Sequence, residues 1–122
     1  MADKSTPCLR ILFGHAIALG PGKANLLEQI AETGSISAAA RRMNMSYRRA
    51  WLLVDTMNQC FRKPLVGTAT GGKGGGGAQI TDLGMEVLRR YREMERKAAA
   101  AVSEDMATLS TLFAEKPPED AD

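Results

Sequence analysis

A mainly α fold carrying one small β-hairpin is what this 122-residue sequence predicts. Three observations carry that expectation. Two short helical patterns, Ile36 to about Met43 and Tyr47 to about Phe61, are joined by a tight turn, and each opens on a serine. A glycine run around one lysine, Thr70-Gly71-Gly72-Lys73-Gly74-Gly75-Gly76-Gly77-Ala78, lies between two β-like segments. After it comes a pattern about 30 residues long with apolar side chains at every third or fourth position, the period of an α-helix.

The length allows one domain. With 44% hydrophobic residues the chain can bury a core, and the scarcity of aromatics beside 7 methionines points to helices packed through aliphatic and Met side chains. No apolar run approaches the roughly 18 residues of a membrane span. The N-terminal Met1-Ala2-Asp3-Lys4-Ser5-Thr6-Pro7 lacks the basic-then-apolar order of a signal peptide, so a cytoplasmic protein without membrane contact is expected. Cys8 and Cys60 have no metal-ligand spacing and read as reduced thiols. His15 stands alone and reads as packing or surface. No metal site, cofactor or catalytic constellation is expected, and the chain does not read as an enzyme.

Residues 1–8 are expected to be disordered. Leu9, Ile11 and Phe13 alternate with Arg10 and Leu12, as in a short strand with one buried face. Gly14 to Gly22 reads as a loop. A first helix is expected from about Lys23 to Thr33, with Leu26, Leu27, Ile30 and Ala31 at helical spacing and Gly34 ending it. Ser35 then caps a second helix, rich in alanine. Its small residues let another helix cross closely. Asn44-Met45 makes the turn, and Ser46 caps the third helix. Two helices joined so tightly suggest a helix-turn-helix, whose second helix enters the DNA major groove.

At 100° per residue the third helix divides into faces. Tyr47, Ala50, Val54, Met57 and Phe61 form the core stripe, with Trp51 packing at its edge. Arg48, Arg49, Leu52 and Thr56 point the other way, with Gln59 beside them. Arginines near a helix N-terminus oppose the macrodipole, and phosphates or guanine edges would compensate that cost.

Arg62-Lys63-Pro64 breaks the third helix. Leu65 to Ala69 and Gln79-Ile80 then form the hairpin around the glycine run. Glycine lets backbone approach a partner closely, so the run reads as a mobile loop tip. Residues 67–74 nearly satisfy the phosphate-binding pattern G-x-x-x-x-G-K-[ST]. Gly74, however, stands where a Mg²⁺-binding hydroxyl is needed, and no helix follows at once. Thr81-Asp82 starts the long helix, expected to reach about Phe113. Its apolar positions include Met85, Leu88, Tyr91, Met94, Ala98, Val102, Met106 and Leu109. Such a helix spans about 45 Å at 1.5 Å per residue. A domain of this size cannot cover it, so its distal half needs a partner, most simply a second copy; the alternative is an alanine-rich surface helix that frays after about Ala101. Residues 114–122 read as a disordered acidic tail.

Charge is unevenly placed. Residues 35–80 hold Arg41, Arg42, Arg48, Arg49, Arg62, Lys63 and Lys73 against Asp55 alone, a net +6 within a chain of net +2. A basic block of this kind is the electrostatic footprint of a nucleic-acid-binding surface. Strand, helix, helix, third helix, hairpin and long helix together give a winged helix-turn-helix over residues 9–82. A long C-terminal dimerisation helix follows over 83–113.

Gly34-Ser35-Ile36-Ser37, Ser46-Tyr47-Arg48-Arg49-Ala50-Trp51, Met57-Asn58, the run Ala69 to Ala78, Thr81 and Gly84 closely resemble the N-terminal DNA-binding domain of the ModE family of molybdate-responsive transcriptional regulators. The resemblance covers about residues 9 to 100. The helix-turn-helix is also similar, less closely, to that of LysR-type regulators. The resemblance implies a dimer binding a palindromic operator in double-stranded DNA, often near molybdate uptake genes, with the long helices helping to form the dimer. Carried over by position, the DNA-facing residues are Ser46, Arg48 and Arg49 on the third helix, Ser37 and Arg41 on the second, and Thr70, Gly71, Gly72 and Lys73 on the wing. Arg42 from the basic block, Tyr47 and Thr56 from the third helix, and Gly74 from the glycine run complete the candidate set.

The family's C-terminal molybdate-sensing domains have no counterpart in the 122 residues. Direct molybdate binding is therefore not expected; a separate molybdate-binding protein is the partner that would supply a sensor. The alternative function is a protein-interaction or oxyanion-responsive module using the winged helix as a scaffold.

Overall fold

The computed structural model describes residues 6–69 and 77–119. The chain opens on a hairpin, β1 (Ile11–Phe13) and β2 (Ala16–Leu19), followed by α1 (Pro21–Thr33), α2 (Ile36–Arg42) and α3 (Tyr47–Cys60). A second antiparallel hairpin, β3 (Val66–Ala69) and β4 (Gly77–Ile80), leads into α4 (Asp82–Ala101) and α5 (Ser103–Ser110).

Local chemistry sets most of the boundaries. Pro21 begins α1, where its missing N–H has no helical partner to lose. Gly34 ends the helix in the left-handed region at φ 70, and its N–H donates to the Ile30 carbonyl. Ser35 Oγ accepts from the Ala38 N–H at 3.0 Å, and Ser46 Oγ accepts from the Arg49 N–H at 3.1 Å. Thr81 Oγ1 accepts from the Gly84 N–H at 3.0 Å and so caps α4. Each such cap stabilises its helix by about 1 kcal/mol. Between α2 and α3 the chain reverses through Asn44 at φ 61, a region asparagine tolerates.

The core lies where α1, α2, α3, α4 and the second hairpin meet. Leu26, Leu27 and Ile30 of α1 pack with Ala39 and Ala40 of α2 and with Ala50, Val54 and Met57 of α3. Leu65, Val66 and Ala78 of the second hairpin close one side, and Leu88 and Tyr91 of α4 another. The alanines of α2 let its neighbours approach, as their small size suggests. Arg92 fixes α4 to α1: its guanidinium donates to both carboxylate oxygens of Glu28 at 2.8 and 3.2 Å and to Asn25 Oδ1 at 2.7 Å. Hydrogen bonding to Glu28 holds the Arg92 pKa above its usual value.

Three expectations are corrected. The stretch from Gly14 to Gly22 is not a loop: it holds β2 and the start of α1. Gly14 takes φ 63 at the first position of a two-residue reversal, as a primed hairpin turn requires, and Ala18 and Leu19 turn inward while Ile17 faces out. Phe13, expected on the buried face of β1, is 65% exposed. The long C-terminal helix is two helices. Val102 leaves helical geometry at φ −107, ψ 13, although its N–H still reaches the Ala98 carbonyl at 3.1 Å. Among the described residues α5 buries none, so little packing holds the second piece on the axis of the first.

Residues 6–8 are exposed and outside any helix or strand, as are residues 114–119. The rest of the two expected disordered termini, residues 1–5 and 120–122, lies outside the described residues.

Candidate nucleic-acid interface

Helix α3 is anchored by one face and open on the other. Ala50, Val54 and Met57 are buried, and Phe61 is packed beside them. The opposite arc carries Arg48 and Arg49, both exposed. No acid occupies the first turn, so the helix N-terminus and two guanidinium groups form one electropositive end. Two sequence readings fail here. Tyr47, placed in the core stripe, is 55% exposed, and Trp51, expected to pack at the core edge, is 45% exposed. The buried stripe centres on Ala50 and Met57. Tyr47 lies one turn outside it at the helix start. Trp51 follows Tyr47 on that flank.

Other candidates are tied to the protein itself. The Thr56 hydroxyl donates to the Leu52 carbonyl at 3.0 Å. Asp55, the lone acid of the basic block, accepts from Gln59 Nε2 at 2.7 Å. Ser37 Oγ shares a 3.0 Å hydrogen bond with Ser35 Oγ, and Ser46 is occupied as the α3 cap. Arg41 is exposed on α2. Arg42 turns toward α1, where it donates to Gln29 Oε1 at 3.0 Å and Glu32 Oε1 at 2.9 Å. That exposed ion pair is weak, worth at most about 1 kcal/mol. Thr70, Gly71, Gly72, Lys73 and Gly74 lie outside the described residues.

The root of the wing is described, and it is bolted to α3. Asn58 Oδ1 accepts from the Leu65 N–H at 2.8 Å and the Val66 N–H at 3.2 Å, while its Nδ2 donates to the Val66 carbonyl at 3.1 Å. Across the hairpin the Ala78 N–H donates to the Gly34 carbonyl at 3.0 Å. From the far side, the Thr81 hydroxyl donates to the Pro64 carbonyl at 2.8 Å. Gly84 completes the joint. A Cβ built there would stand 2.3 Å from the Leu65 carbonyl oxygen, so only glycine permits this approach of α4 to the wing root.

Sequence reasoning gave neither Asn58 nor Gly84 a role. The available signal was unfavourable residue choice: an asparagine in the last turn of a helix, and a glycine inside one at a cost of about 1 kcal/mol relative to alanine.

Among the described residues no helix is long and apolar enough to cross a membrane, and no group of three His, Cys, Asp or Glu could hold a metal ion.

Comparison with known proteins gives three kinds of similarity. The family described as bacterial regulatory helix-turn-helix protein, lysR family, matches residues 23–85, just over half of the chain. The molybdenum transport protein ModE of Azotobacter vinelandii is 41% identical over 85 residues, 70% of this chain and 32% of that protein. The DNA-binding transcriptional dual regulator ModE of Escherichia coli (strain K12) is 41% identical over 98 residues, 77% of this chain and 37% of that protein. The chain thus spans about a third of the length of these curated relatives. Among solved structures, a CbnR_DBD-DNA complex superposes with a TM-score of 0.57 at 18% identity, covering 72% of this chain and 95% of that one. At that identity the likeness speaks for the winged-helix fold.

Proposed function

We infer function from the premise that this chain belongs to the lysR family of bacterial regulatory helix-turn-helix proteins. Its role is that of a sequence-specific, double-stranded DNA-binding transcriptional regulator. One observation carries the reading: α3 buries one face and presents Arg48 and Arg49 on the other, beside a wing root that Asn58 locks to the same helix. In the major groove, arginine reads guanine bidentately, and phosphate contacts set the register. Ser37, Arg41 and Ser46 border the same helix pair. The wing residues Thr70, Gly71, Gly72, Lys73 and Gly74 follow β3 and are proposed to meet the DNA backbone.

The regulated process is molybdenum uptake or metabolism. Support comes from ModE relatives at about 40% identity and from the names those relatives carry. The assembly is proposed to be a homodimer on a palindromic operator. Met94, in the apolar series of α4, is 44% exposed, which fits coverage by a second copy. A cytoplasmic location, absence of catalysis and a separate molybdate-binding partner complete the reading.

A gel-shift titration of random-sequence duplex across a salt series tests it. Affinity should fall steeply with salt as counterions are released from phosphates. Binding that is absent, or indifferent to salt, refutes the assignment.

A further inference from the structure

The exposed arc of α3 is not purely cationic. Tyr47, Arg48, Trp51 and Leu52 line one shallow depression of about 300 Å³. Its three uncharged members are 55%, 45% and 46% exposed, all on the first two turns of the helix. The half of the tryptophan and of the leucine left in water is apolar surface whose removal from water by a partner would be favourable. Among the described residues, no other side chain lines the depression.

We propose that Trp51 and Leu52, with Tyr47, form an apolar pad that reads thymine methyl groups in the major groove, and so set sequence preference alongside Arg48. The proposal rests on the DNA-binding reading above and deepens it. Two considerations commit the pad to this occupant. It lies at the N-terminal end of the helix that a helix-turn-helix inserts into the groove, where side chains meet base edges. The thymine C5-methyl is the one apolar group the major-groove edges present, and apolar side chains read it by contact. Arg48 lies within the same depression, so its guanidinium can donate to guanine N7 and O6 beside the pad. Tyr47 and Trp51 are four residues apart, about 6 Å along the helix axis, which spans about two base-pair steps. The expected signature is a G·C pair with two thymines within a step or two of it.

The test uses the full chain and a duplex selected for tight binding from a random library. Each thymine is replaced in turn by deoxyuridine, which removes the methyl and leaves base pairing intact, and affinity is read by fluorescence anisotropy. At one to three positions the wild-type protein should lose about three- to fivefold, the worth of one methyl group taken out of contact. Trp51→Ala and Leu52→Gln should bind the thymine duplex more weakly and show no further loss with deoxyuridine at those positions. Both side chains lie outside the core, and a thermal melt of each variant confirms that it folds. Two variants guard against misfolding of either one. A wild-type protein that binds duplex but ignores every thymine-to-deoxyuridine change overturns the pad and leaves DNA binding standing. Full methyl sensitivity retained in both variants also overturns it. Failure to bind any duplex refutes the pad together with the function on which it rests.

Discussion

Among the described residues the molecule carries two antiparallel hairpins, and the second is held by polar bonds that the first has fewer of. The first, β1–β2, is seated by side chains going inward: Ala18 and Leu19 enter the core, and the buried Lys23 ammonium donates to the Ile17 carbonyl. The second, β3–β4, also sends Leu65, Val66 and Ala78 into the core, and adds polar bonds from the helices on either side, through Asn58, Thr81 and the backbone of Gly34. Apolar seating tolerates small adjustments, because contact area changes gradually. Hydrogen bonds to backbone fix distance and direction. The hairpin expected to meet DNA is the one whose position is fixed.

The largest way to break this contrast is Gly84→Ala. The new Cβ meets the Ile80 side chain and the Leu65 carbonyl oxygen, and the latter is backbone that cannot yield without moving the wing root. Overpacking of this kind costs up to about 3 kcal/mol, offset by about 1 kcal/mol of better helix propensity. Urea denaturation should show the net loss, and duplex affinity should fall with it. Asn58→Ala comes next. It strands the Leu65 and Val66 N–H groups and should cost about 2 kcal/mol. Its decisive readout is affinity in gel shifts under conditions where the variant is fully folded. Affinity equal to wild type there would mean that the wing needs no staple.

On the other side of the contrast, Tyr91→Phe removes the 2.6 Å bond from the Tyr91 hydroxyl to the Leu9 carbonyl, which ties down the segment entering β1. A loss of about 1 kcal/mol is expected with duplex affinity unchanged. Burial pushes the Tyr91 pKa from 10.0 up to about 12. The neutral phenol therefore favours the folded state fully below pH 10, and that contribution is lost as pH rises toward 12. Alkaline melts should show this loss in wild type and not in Tyr91→Phe. The smallest effect belongs to Phe13→Ser. An exposed residue on a hairpin tip should change stability by no more than about 0.5 kcal/mol. A larger loss in a thermal melt would show that the first hairpin is seated by its outer face too.

What was legible in the sequence follows the range of the interactions. Gly34, Ser35, Ser46 and Thr81 act within four residues of themselves, and their caps were readable one by one. The helix-turn-helix and the wing followed from order and spacing. The first hairpin escaped because Gly14-His15 is a weaker turn signal than Asn-Gly or Asp-Gly, and Ala16 to Leu19 shows no polar alternation. The break at Val102 has no glycine or proline near it, and only the alanine-rich run up to Ala101 pointed to it, as the place where a surface helix would fray. Within the candidate interface, the arginines were found by charge. Trp51 was misread because a helical wheel gives direction but not the reach of the core. Asn58 was missed because its partners lie seven and eight residues away, across a helix break.

Asn58 has one more consequence. By joining the end of α3 to the first strand of the wing, it turns the two elements proposed to contact DNA into a caliper with fixed jaws. The gap between major-groove insertion and wing contact cannot then be adjusted on the protein side. Any mismatch must be taken up by the duplex, whose bending and groove width depend on base sequence. A side chain that touches no base would in this way help to choose among sequences, through stiffness alone.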